Sequence, residues 1–543
     1  MGTYAIGIDY GTLSGRALLV DLQTGEEKAE AVYAYPHGVM DRTLPNGTPL
    51  PPEYALQHPN DYLEVLRTTV PAVLQKVGVR AEEVAGLCID FTACTLLPVD
   101  ENGLPLCMKA AYADEKHAYV KLWKHHAAQP EADEINALAA ARGEKWLPIY
   151  GGKISPEWAI PKILEILREA PDVYHATHRF AEAADWLSFM LTGEETHSAV
   201  FAGYKALWNA EDGYPSNEFF KALDPRLDGI VGTKLSQRVR GMDQMAGLLN
   251  AEGARLTGLC KGMPVALPMI DAHAAMPAAG ITQEGELLMI VGTSTCHIVH
   301  AKQKAHVEGI CGYVRDGVIP HLYTYEAGQA AVGDSFDWVL RTCIPASYTS
   351  EAEVLGIGLH RLLREKASRL AAGESRLLAL DWFNGNRSVL VNSNLKGMIL
   401  GLDLQTKPEE IYRAIIESTA FGARVIVEQY EKSGIAIERI SAAGGIAQKD
   451  EMMMQIYADV LGREIRIVGT AQAGALGSAI YASVAAGVFS SVAEASARLS
   501  KPACRVFYPN EKNQAVYNGL YREYKKLHDY FGAGEGLSSF SIP

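Results

Sequence analysis

The alternation of hydrophobic and polar positions near the start of the chain predicts two buried strands joined by a polar turn. Apolar runs over residues 4–8 and 17–20 are short, contain β-branched residues and are bounded by glycines, which is typical of strands. Asp9 ends the first run, and Gly11 and Thr12 follow it in the turn. A carboxylate beside several N–H and hydroxyl donors suits a magnesium–phosphate complex. An ordinary hairpin turn fits these residues equally well.

The same layout recurs in the second half of the chain. An apolar run over residues 287–291 leads into Gly292 and Thr293, and a third turn, Gly444-Gly445, ends another apolar run. Neither a Walker A loop nor a dinucleotide fingerprint is present. A single glycine turn is more often structural than functional. Three of them at strand ends predict a nucleotide held in a cleft between two similar domains, with phosphates at the first two turns and adenosine at the third.

Further periodicity predicts the elements around these turns. Residues 84–91 form a continuous apolar run typical of a buried strand, and residues 96–99 are expected to return as its partner. Residues 113–145 are expected to be helical and charged. A further helix is predicted over residues 157–167, where Ser155-Pro156 would supply an N-cap and a proline at the first helical position.

Length, composition and charge set the broad class. A chain of 543 residues exceeds one ordinary core, and the change of pattern after residue 262 divides it into expected domains of residues 1–270 and 271–543. The net charge of −14 argues against a nucleic-acid or anionic-membrane surface. Eight scattered cysteines without a Cys-x-x-Cys pair favour free thiols in a cytosolic protein. The uncharged stretch between Arg466 and Glu494 is rich in Ala, Gly and Ser, which favours a close-packed buried helix over a membrane span.

Several longer motifs carry a resemblance to the FGGY carbohydrate kinases, within the superfamily of sugar kinases, actin and heat-shock ATPases. Residues 397–402 and 410–417 fit the second signature of the family, and residues 155–158 with Lys162-Ile163 resemble the first. Residues 443–459 are similar to its adenosine segment, and Asp9–Thr12 to its first phosphate turn. The resemblance implies an α/β fold of two ribonuclease-H-like domains flanking a nucleotide cleft.

Within the family, the motifs are most similar to those of kinases that phosphorylate L-ribulose. Asp90-Phe91-Thr92 resembles their substrate loop, and Asp271–Ala274 resembles an Asp-Ala-His-Ala run that ends in Gly where this chain has Ala275. Leu122–His126 resembles the segment whose tryptophan packs on the sugar, with His125 where an acid is common. The implied activity is ATP-dependent phosphorylation of the 5-hydroxyl of L-ribulose, in arabinose catabolism. A kinase of a related ketose, such as D-ribulose or xylulose, is the alternative.

The resemblance implies a role for each site residue. Asp271 would be the general base, and an acid that ends an apolar segment before small residues agrees with this role; a helix N-cap is its structural alternative. Lys205 would contact the sugar or pair with another charge, and Trp123 would pack on the sugar or in the core. The remaining implied contacts are Ala93 and Glu326 to the sugar, Gly11, Thr12, Gly292 and Thr293 to phosphate, Gly444, Gly445 and Gln448 to adenosine, and Asp9 with Asp271 to magnesium.

The expected ligands are therefore a sugar, ATP and Mg²⁺, without nucleic acid or membrane partners, and a homodimer is compatible with the resemblance. A rival function keeps the fold but makes the chain an actin-like or chaperone-type nucleotide switch. Such switches need neither an acid placed like Asp271 nor the sugar elements at Asp90 and Trp123. His125, His126 and His273 suggest a metal site, but no neighbouring residue completes a ligand set.

Overall fold

The computed structural model describes residues 3–242 and 244–532. The chain packs into two compact units. The first unit comprises Met1–Thr282, Gly312–Thr324 and Gln472–Lys501, and the second comprises Gln283–Cys311, Tyr325–Ala471 and Pro502–Pro543. The expected domain division at residues 270 and 271 stays a prediction.

Strands and helices alternate along most of the chain. Within the described residues, the strands β1 to β22 are, in chain order, Tyr4–Tyr10, Ser14–Asp21, Glu27–Ala34, Leu56–Gln57, Val84–Phe91, Leu96–Val99, Val120–Lys121, Arg179–Glu182, His197–Ser198, Val239–Arg240, Met245–Leu248, Pro264–Ala266, Met269–Ile270, Glu286–Val291, Thr295–Ala301, Gly312–Arg315, Tyr323–Gln329, Leu378–Leu380, Met398–Leu400, Arg439–Ala443, Ile465–Ile467 and Arg505–Phe507. The helices α1 to α19 of the same residues are Pro59–Val77, Gln129–Arg142, Ala159–Glu169, Pro171–Ala176, Ala183–Thr192, Ala199–Lys205, Asn217–Leu223, Ile230–Thr233, Ala251–Thr257, Asp271–Ala278, Gly333–Thr342, Ala346–Leu355, Leu359–Ala367, Pro408–Lys432, Gly445–Lys449, Glu451–Leu461, Ala473–Ala485, Val492–Leu499 and Glu511–Gly532.

The main sheet of the first unit has the strand order β11-β12-β5-β1-β2-β3, and β13 also pairs with β5. Strands β1, β2 and β3 form antiparallel neighbours, whereas β5 runs parallel to β1, β12 and β13. The predicted strands around the first turn are therefore confirmed. Because parallel strands end at the same edge of a sheet, the residues that follow β1, β5 and β13 lie near one another.

Helix α17 packs against β1 and β5 although most of the second unit precedes it in the sequence. Its contact with α10 is so close that a Cβ on Gly477 would lie 1.7 Å from the carbonyl oxygen of Ala274. The small residues of this stretch thus allow two helices and a sheet to approach closely. The predicted close-packed buried helix is confirmed.

The predicted pairing of residues 96–99 with residues 84–91 is wrong. Strand β6 lies in a separate sheet of order β4-β7-β6-β8, in which it pairs antiparallel with β8. The intervening turn, residues 92–95, carries the chain from one sheet to the other instead of reversing it within one sheet. The sequence around β8 has no pattern that would reveal it as the partner.

Two helix predictions are also corrected. In the charged segment 113–145, α-helix is confined to Gln129–Arg142, preceded by a short 3₁₀ turn and strand β7. Helix α3 begins at Ala159 with Trp158 as N-cap residue, so Ser155-Pro156 lies outside it. The serine side chain instead accepts a hydrogen bond from the Glu157 N–H, at 3.3 Å, within the preceding turn.

The main sheet of the second unit includes the strand order β17-β15-β14-β20-β21-β22. Strands β14 and β15 form an antiparallel hairpin, and β14, β20 and β21 are parallel. A hairpin followed by parallel strands is also the plan of the first unit, so the predicted repetition is confirmed. Within residues 3–242 and 244–532, none of the helices has the length and apolar character needed to cross a membrane.

Candidate active site

Three carboxyl groups meet at one edge of the first unit's main sheet. Asp9 lies directly opposite Asp90 in the parallel pairing of β1 with β5. Asp271 follows β13, whose last residue, Ile270, pairs opposite Phe91 of β5. The register of three parallel strands thus collects acids that are widely separated in the sequence.

The electrostatics of this cluster reflect burial and mutual repulsion. Burial, followed by the charges of Asp9 and Asp271, raises the pKa of Asp90 well above its usual range. Burial also raises the pKa of Asp9, although the Arg16 guanidinium lies 3.5 Å from its carboxylate. The Ser478 hydroxyl donates a 2.7 Å hydrogen bond to Asp90 Oδ2. The cluster is therefore rich in oxygen ligands, and Asp9 and Asp90 are harder to ionise than exposed carboxyl groups.

This donor set fits the divalent cation that the sequence predicts. Magnesium prefers carboxylate and water oxygens. A cation would stabilise the ionised carboxylates, which burial disfavours at Asp9 and which burial together with the charges of Asp9 and Asp271 disfavours at Asp90. Asp271 is half-buried at the start of α10. The predicted N-cap alternative for it is wrong, because Ile270 occupies the N-cap position.

The first phosphate turn is closed by its own backbone and connected to the predicted sugar segment. The Gly11 N–H donates to the Ser14 carbonyl at 3.0 Å, which closes the hairpin between β1 and β2. The Trp123 indole N–H donates to the Thr12 hydroxyl at 3.2 Å. The Gln57 side-chain amide donates to the Thr12 carbonyl at 2.7 Å. Thr12 is therefore held from two sides.

The other predicted sugar contacts of the first unit lie on different elements. Ala93 lies in the turn between β5 and β6, and both Ala93 and Trp123 are partly buried against the aromatic-rich core. Lys205 ends α6 and is only 6% exposed. Its ammonium lies 5.5 Å from the ring centre of Tyr204 and 6.0 Å from that of Trp158. These positions are compatible with sugar contacts, whose assignment stays a prediction.

The second and third turns are neighbours within the second unit. Strands β14 and β20 are parallel, with Ile290 opposite Ala443, so Gly292 and Gly444 follow adjacent strand ends. Gly444 has a φ of +98°, and a Cβ there would lie 2.4 Å from the Val291 carbonyl oxygen. Only glycine fits this position without strain.

The remaining predicted residues of the second unit flank these turns. The Thr293 carbonyl accepts a 2.7 Å hydrogen bond from the Val332 N–H. Gly445 opens α15, and no atom would contact a Cβ there within 4 Å. The Gln448 side-chain amide donates one of its two N–H groups to the Thr470 carbonyl at 2.7 Å. Glu326 lies on β17 and is 7% exposed.

Comparison with known proteins identifies the family. The N-terminal domain model of the FGGY family of carbohydrate kinases matches residues 4–277, and its C-terminal domain model matches residues 287–486. The chain belongs to the FGGY family of carbohydrate kinases. The predicted family, the two-domain α/β fold and the enzyme class are confirmed.

Among relatives of this FGGY chain are two curated proteins named Ribulokinase. The one from Halalkalibacterium halodurans is 52% identical over 536 residues, which cover 98% of this chain and 95% of the relative. The one from Geobacillus thermodenitrificans is 51% identical over 537 residues, with the same coverage of 98% and 95%.

Two solved kinase structures share the fold at low sequence identity. A xylulose kinase from Rhodospirillum rubrum has a TM-score of 0.79 at 23% identity, covering 97% of this chain and 98% of its own. A gluconate kinase from Lactobacillus acidophilus has a TM-score of 0.80 at 19% identity, covering 98% and 99%.

Sequence reasoning missed several residues of this FGGY site. Asp90 was visible only as part of a substrate-loop motif, and its register with Asp9 depends on strand pairing. Arg16 stands in the opening motif, and its charge beside Asp9 was the available signal. Gln57 and Ser478 carry no local signal, because their partners lie 45 and 388 residues away.

Histidine-containing groups elsewhere do not form convincing metal sites. Among the described residues, two groups hold three potential ligand atoms close together: His37, His58 and Asp61, and His117, Glu165 and Glu169. In the first, the two imidazole rings are stacked 4.4 Å apart at 17°, so their lone pairs lie in nearly parallel planes and cannot converge. In the second, Lys116 and Lys121 already lie 3.1 and 3.0 Å from the two carboxylates and would repel a cation.

Proposed function

We propose that this FGGY kinase transfers the γ-phosphoryl group of ATP to the 5-hydroxyl of L-ribulose, giving ribulose 5-phosphate and ADP in arabinose catabolism. The observation that carries the proposal is the identity of about 50% to curated ribulokinases over almost the whole chain. The carboxyl cluster of Asp9, Asp90 and Asp271 supports it, because phosphoryl transfer needs a base and a metal-binding edge.

In the first unit, Asp271 is the proposed general base. Its carboxylate takes the proton of the sugar 5-hydroxyl as that oxygen forms a bond to the γ-phosphorus, and the bond from this phosphorus to the bridging oxygen of ADP breaks. Asp9 and Asp271 are the proposed ligands of Mg²⁺, which supplies charge neutralisation at the phosphates when bound. Ala93, Trp123 and Lys205 are the proposed sugar contacts.

Backbone donors supply the remaining proposed contacts. The N–H and hydroxyl groups of Thr12 in the first unit and of Thr293 in the second are proposed to bind phosphate oxygens. Gly11 and Gly292 are proposed to let the phosphates approach the backbone, because their own N–H groups donate to the Ser14 and Ser294 carbonyls. In the second unit, Gly444, Gly445 and Gln448 are proposed to contact adenosine. The Thr470 carbonyl orients the Gln448 side chain by accepting one of its two amide N–H groups. Glu326 is a proposed sugar contact.

A substrate panel tests the activity. ADP release is measured with both enantiomers of ribulose and of xylulose, and with glycerol, at equal concentrations. We expect L-ribulose to give the highest kcat/KM. Equal or faster turnover of D-ribulose or xylulose would refute the L-ribulose assignment and favour the related-ketose alternative. Equal or faster turnover of glycerol would refute a ketose substrate. ATP hydrolysis that no sugar stimulates would favour the nucleotide switch instead.

The base assignment is tested by Asp271→Asn. This variant keeps the size of the side chain but cannot accept the proton, so we expect near-normal ATP binding and a loss of transfer by about two to four orders of magnitude. The control is Asp212→Asn, at an exposed turn position, which is expected to behave like the wild type. Wild-type turnover of Asp271→Asn would remove Asp271 from this role.

Three finer predictions complete the proposal. Magnesium dependence is tested by EDTA inhibition and by restoring activity with MgCl₂ against CaCl₂. A homodimer is tested by sedimentation equilibrium at several protein concentrations. A cytosolic location stays a prediction from cysteine usage, and cell fractionation tests it.

A further inference from the structure

Helix α3 of the first unit carries two ionisable side chains that are completely buried. Lys162 and Glu165 are both 0% exposed, although lysine and glutamate are almost never fully buried without a specific partner. They are three residues apart on one face of the helix. Burying such charges does little for stability, because the desolvation penalty offsets most of the attraction. Their contacts therefore suggest another role.

The Lys162 ammonium binds three backbone carbonyl groups from two different segments. It donates to the carbonyl of Cys94 at 2.6 Å, of Leu122 at 2.9 Å and of Lys121 at 3.3 Å. An ammonium has three protons, so these bonds use all of its donors. Cys94 directly follows Ala93, and Leu122 directly precedes Trp123. One buried cation thus fixes the backbone beside both proposed sugar contacts.

Glu165 holds the segment around Trp123 through the side chains of Lys121 and His125. Its carboxylate lies 3.0 Å from the Lys121 ammonium and 2.9 Å from His125 Nε2. All three side chains are 0% exposed. Burial and the neighbouring Lys121 lower the pKa of His125 to about 3, so its ring is neutral at pH 7 and donates a hydrogen bond. His125 stands where an acid is common, and here Glu165 supplies the acid from α3.

Lys121 and His125 bracket Trp123 in the sequence, one on each side. Glu165 therefore fixes both ends of the segment that presents the indole, while Lys162 binds the backbone just before Trp123 and connects it to the Ala93 turn. A second carboxylate, Glu182, accepts the Thr95 N–H at 2.8 Å and holds the far side of that turn. The two segments are thus tied to one rigid helix by charge-assisted hydrogen bonds.

We propose that Lys162 and Glu165 are positioning residues for the sugar, which hold the Ala93 turn and the Trp123 segment at a fixed separation through buried hydrogen bonds. This inference rests on the proposed function insofar as these two segments contact the sugar. Neither side chain touches the substrate. Their removal relaxes the sugar-binding surface but leaves the phosphate turns of the second unit unchanged.

The test compares Glu165→Gln and Lys162→Met with a matched buried ion pair elsewhere. Glu417 pairs with Arg413 at 2.9 Å in α14 of the second unit, with both side chains nearly buried, so Glu417→Gln removes a similar charge far from these segments in sequence. We expect the KM for L-ribulose to rise at least tenfold in the α3 variants, with the KM for ATP changed less than twofold. Glu417→Gln is expected to lower the melting temperature without changing either KM.

Amide hydrogen exchange supplies a second readout that does not depend on activity. We expect Lys162→Met to speed exchange at residues 93–96 and 122–126 at least tenfold and Glu165→Gln to do so at residues 122–126, whereas Glu417→Gln does neither. If Lys162→Met fails to fold, Glu165→Gln decides the question. An unchanged sugar KM with unchanged exchange in the two segments would overturn the inference. If the wild type prefers another sugar, the KM for that sugar is measured, so failure of the ribulose assignment is recognised separately.

Discussion

Replacing Trp123 by phenylalanine isolates one hydrogen bond between the sugar segment and the phosphate turn. Phenylalanine keeps an aromatic face for the sugar but lacks the indole N–H that donates to the Thr12 hydroxyl at 3.2 Å. The Gln57 bond to the Thr12 carbonyl remains. The change therefore loosens the Thr12 side chain while leaving the backbone of the turn in place.

The expected effect follows from the strength of a single neutral hydrogen bond. Such a bond contributes about 0.5–1.5 kcal/mol, which corresponds to a decrease of about 2- to 12-fold in kcat/KM for the sugar. Trp123→Ala would also remove the aromatic face and is therefore less informative. Because the bond joins two proposed ligand-binding elements, the loss should affect kcat as well as the sugar KM.

A double-mutant cycle with Thr12→Val tests this reasoning. If the bond is the shared element, Trp123→Phe should cost little in the Thr12→Val background, and the coupling free energy should be about 0.5–1.5 kcal/mol. Thr12→Ser keeps the hydroxyl and serves as the control. The coupling would be refuted if the decrease in kcat/KM of the double variant equalled the product of the two single decreases. This holds even if each single variant were impaired.

Three further perturbations follow from contacts outside this bond. Gly477→Ala places a methyl group 1.7 Å from the Ala274 carbonyl oxygen, so we expect a loss of about 1–3 kcal/mol in unfolding free energy, measured with urea, and slower transfer because α10 carries Asp271. Burial lowers the pKa of His297 to about 4 in the folded protein. Between pH 6.5 and pH 4 this histidine therefore binds a proton in the unfolded chain but not in the folded one, so acidification removes about 3 kcal/mol of unfolding free energy. In His297→Gln, the urea midpoint should depend less on pH over this range. Tyr517→Phe removes the hydroxyl that donates to Glu417 at 2.9 Å and accepts from Arg413, with an expected loss of about 1–3 kcal/mol by urea unfolding.

Each of these perturbations has a matched control in the chain. Gly358→Ala adds a methyl group where no atom lies within 4 Å, His178→Gln changes an exposed histidine, and Tyr508→Phe changes a tyrosine that is 65% exposed. All three should leave the urea midpoint within experimental error. A control that shifts it as much as its test variant would remove the structural reason given for that prediction.

The predictable part of the fold is the part with a local signal. Short apolar runs bounded by glycines identified β1, β2, β14 and β20, because strand period and turn chemistry are encoded within a few residues. The pairing of β6 was not predictable in the same way. Its partner β8 lies about 80 residues further along the chain, and pairing depends on tertiary packing rather than on any property of Leu96–Val99.

The residues of the candidate site likewise divide into those with a local sequence signal and those without one. Residues inside motifs, such as Asp9 and Asp271, were identifiable because a carboxylate at the end of an apolar run is unusual. Gln57 and Lys162 were not assigned contacts, because a side chain that binds backbone carbonyls leaves no pattern in the sequence. Asp90 falls between the two cases, since its motif was visible and its pairing with Asp9 was not.

The arrangement of the three acids argues that the opening turn is functional and more than a hairpin. A one-residue slip between β1 and β5 would move the Asp90 side chain to the other face of the sheet and remove the repulsion. The chain instead keeps Asp9 and Asp90 in direct register. Burial raises the pKa of both carboxyl groups, and the charge of Asp9 adds to the rise at Asp90. Burial of like charges destabilises a fold unless a ligand offsets it. A purely structural turn has no need of two buried carboxyl groups that destabilise the fold. An edge that binds a cation and phosphate requires their oxygens.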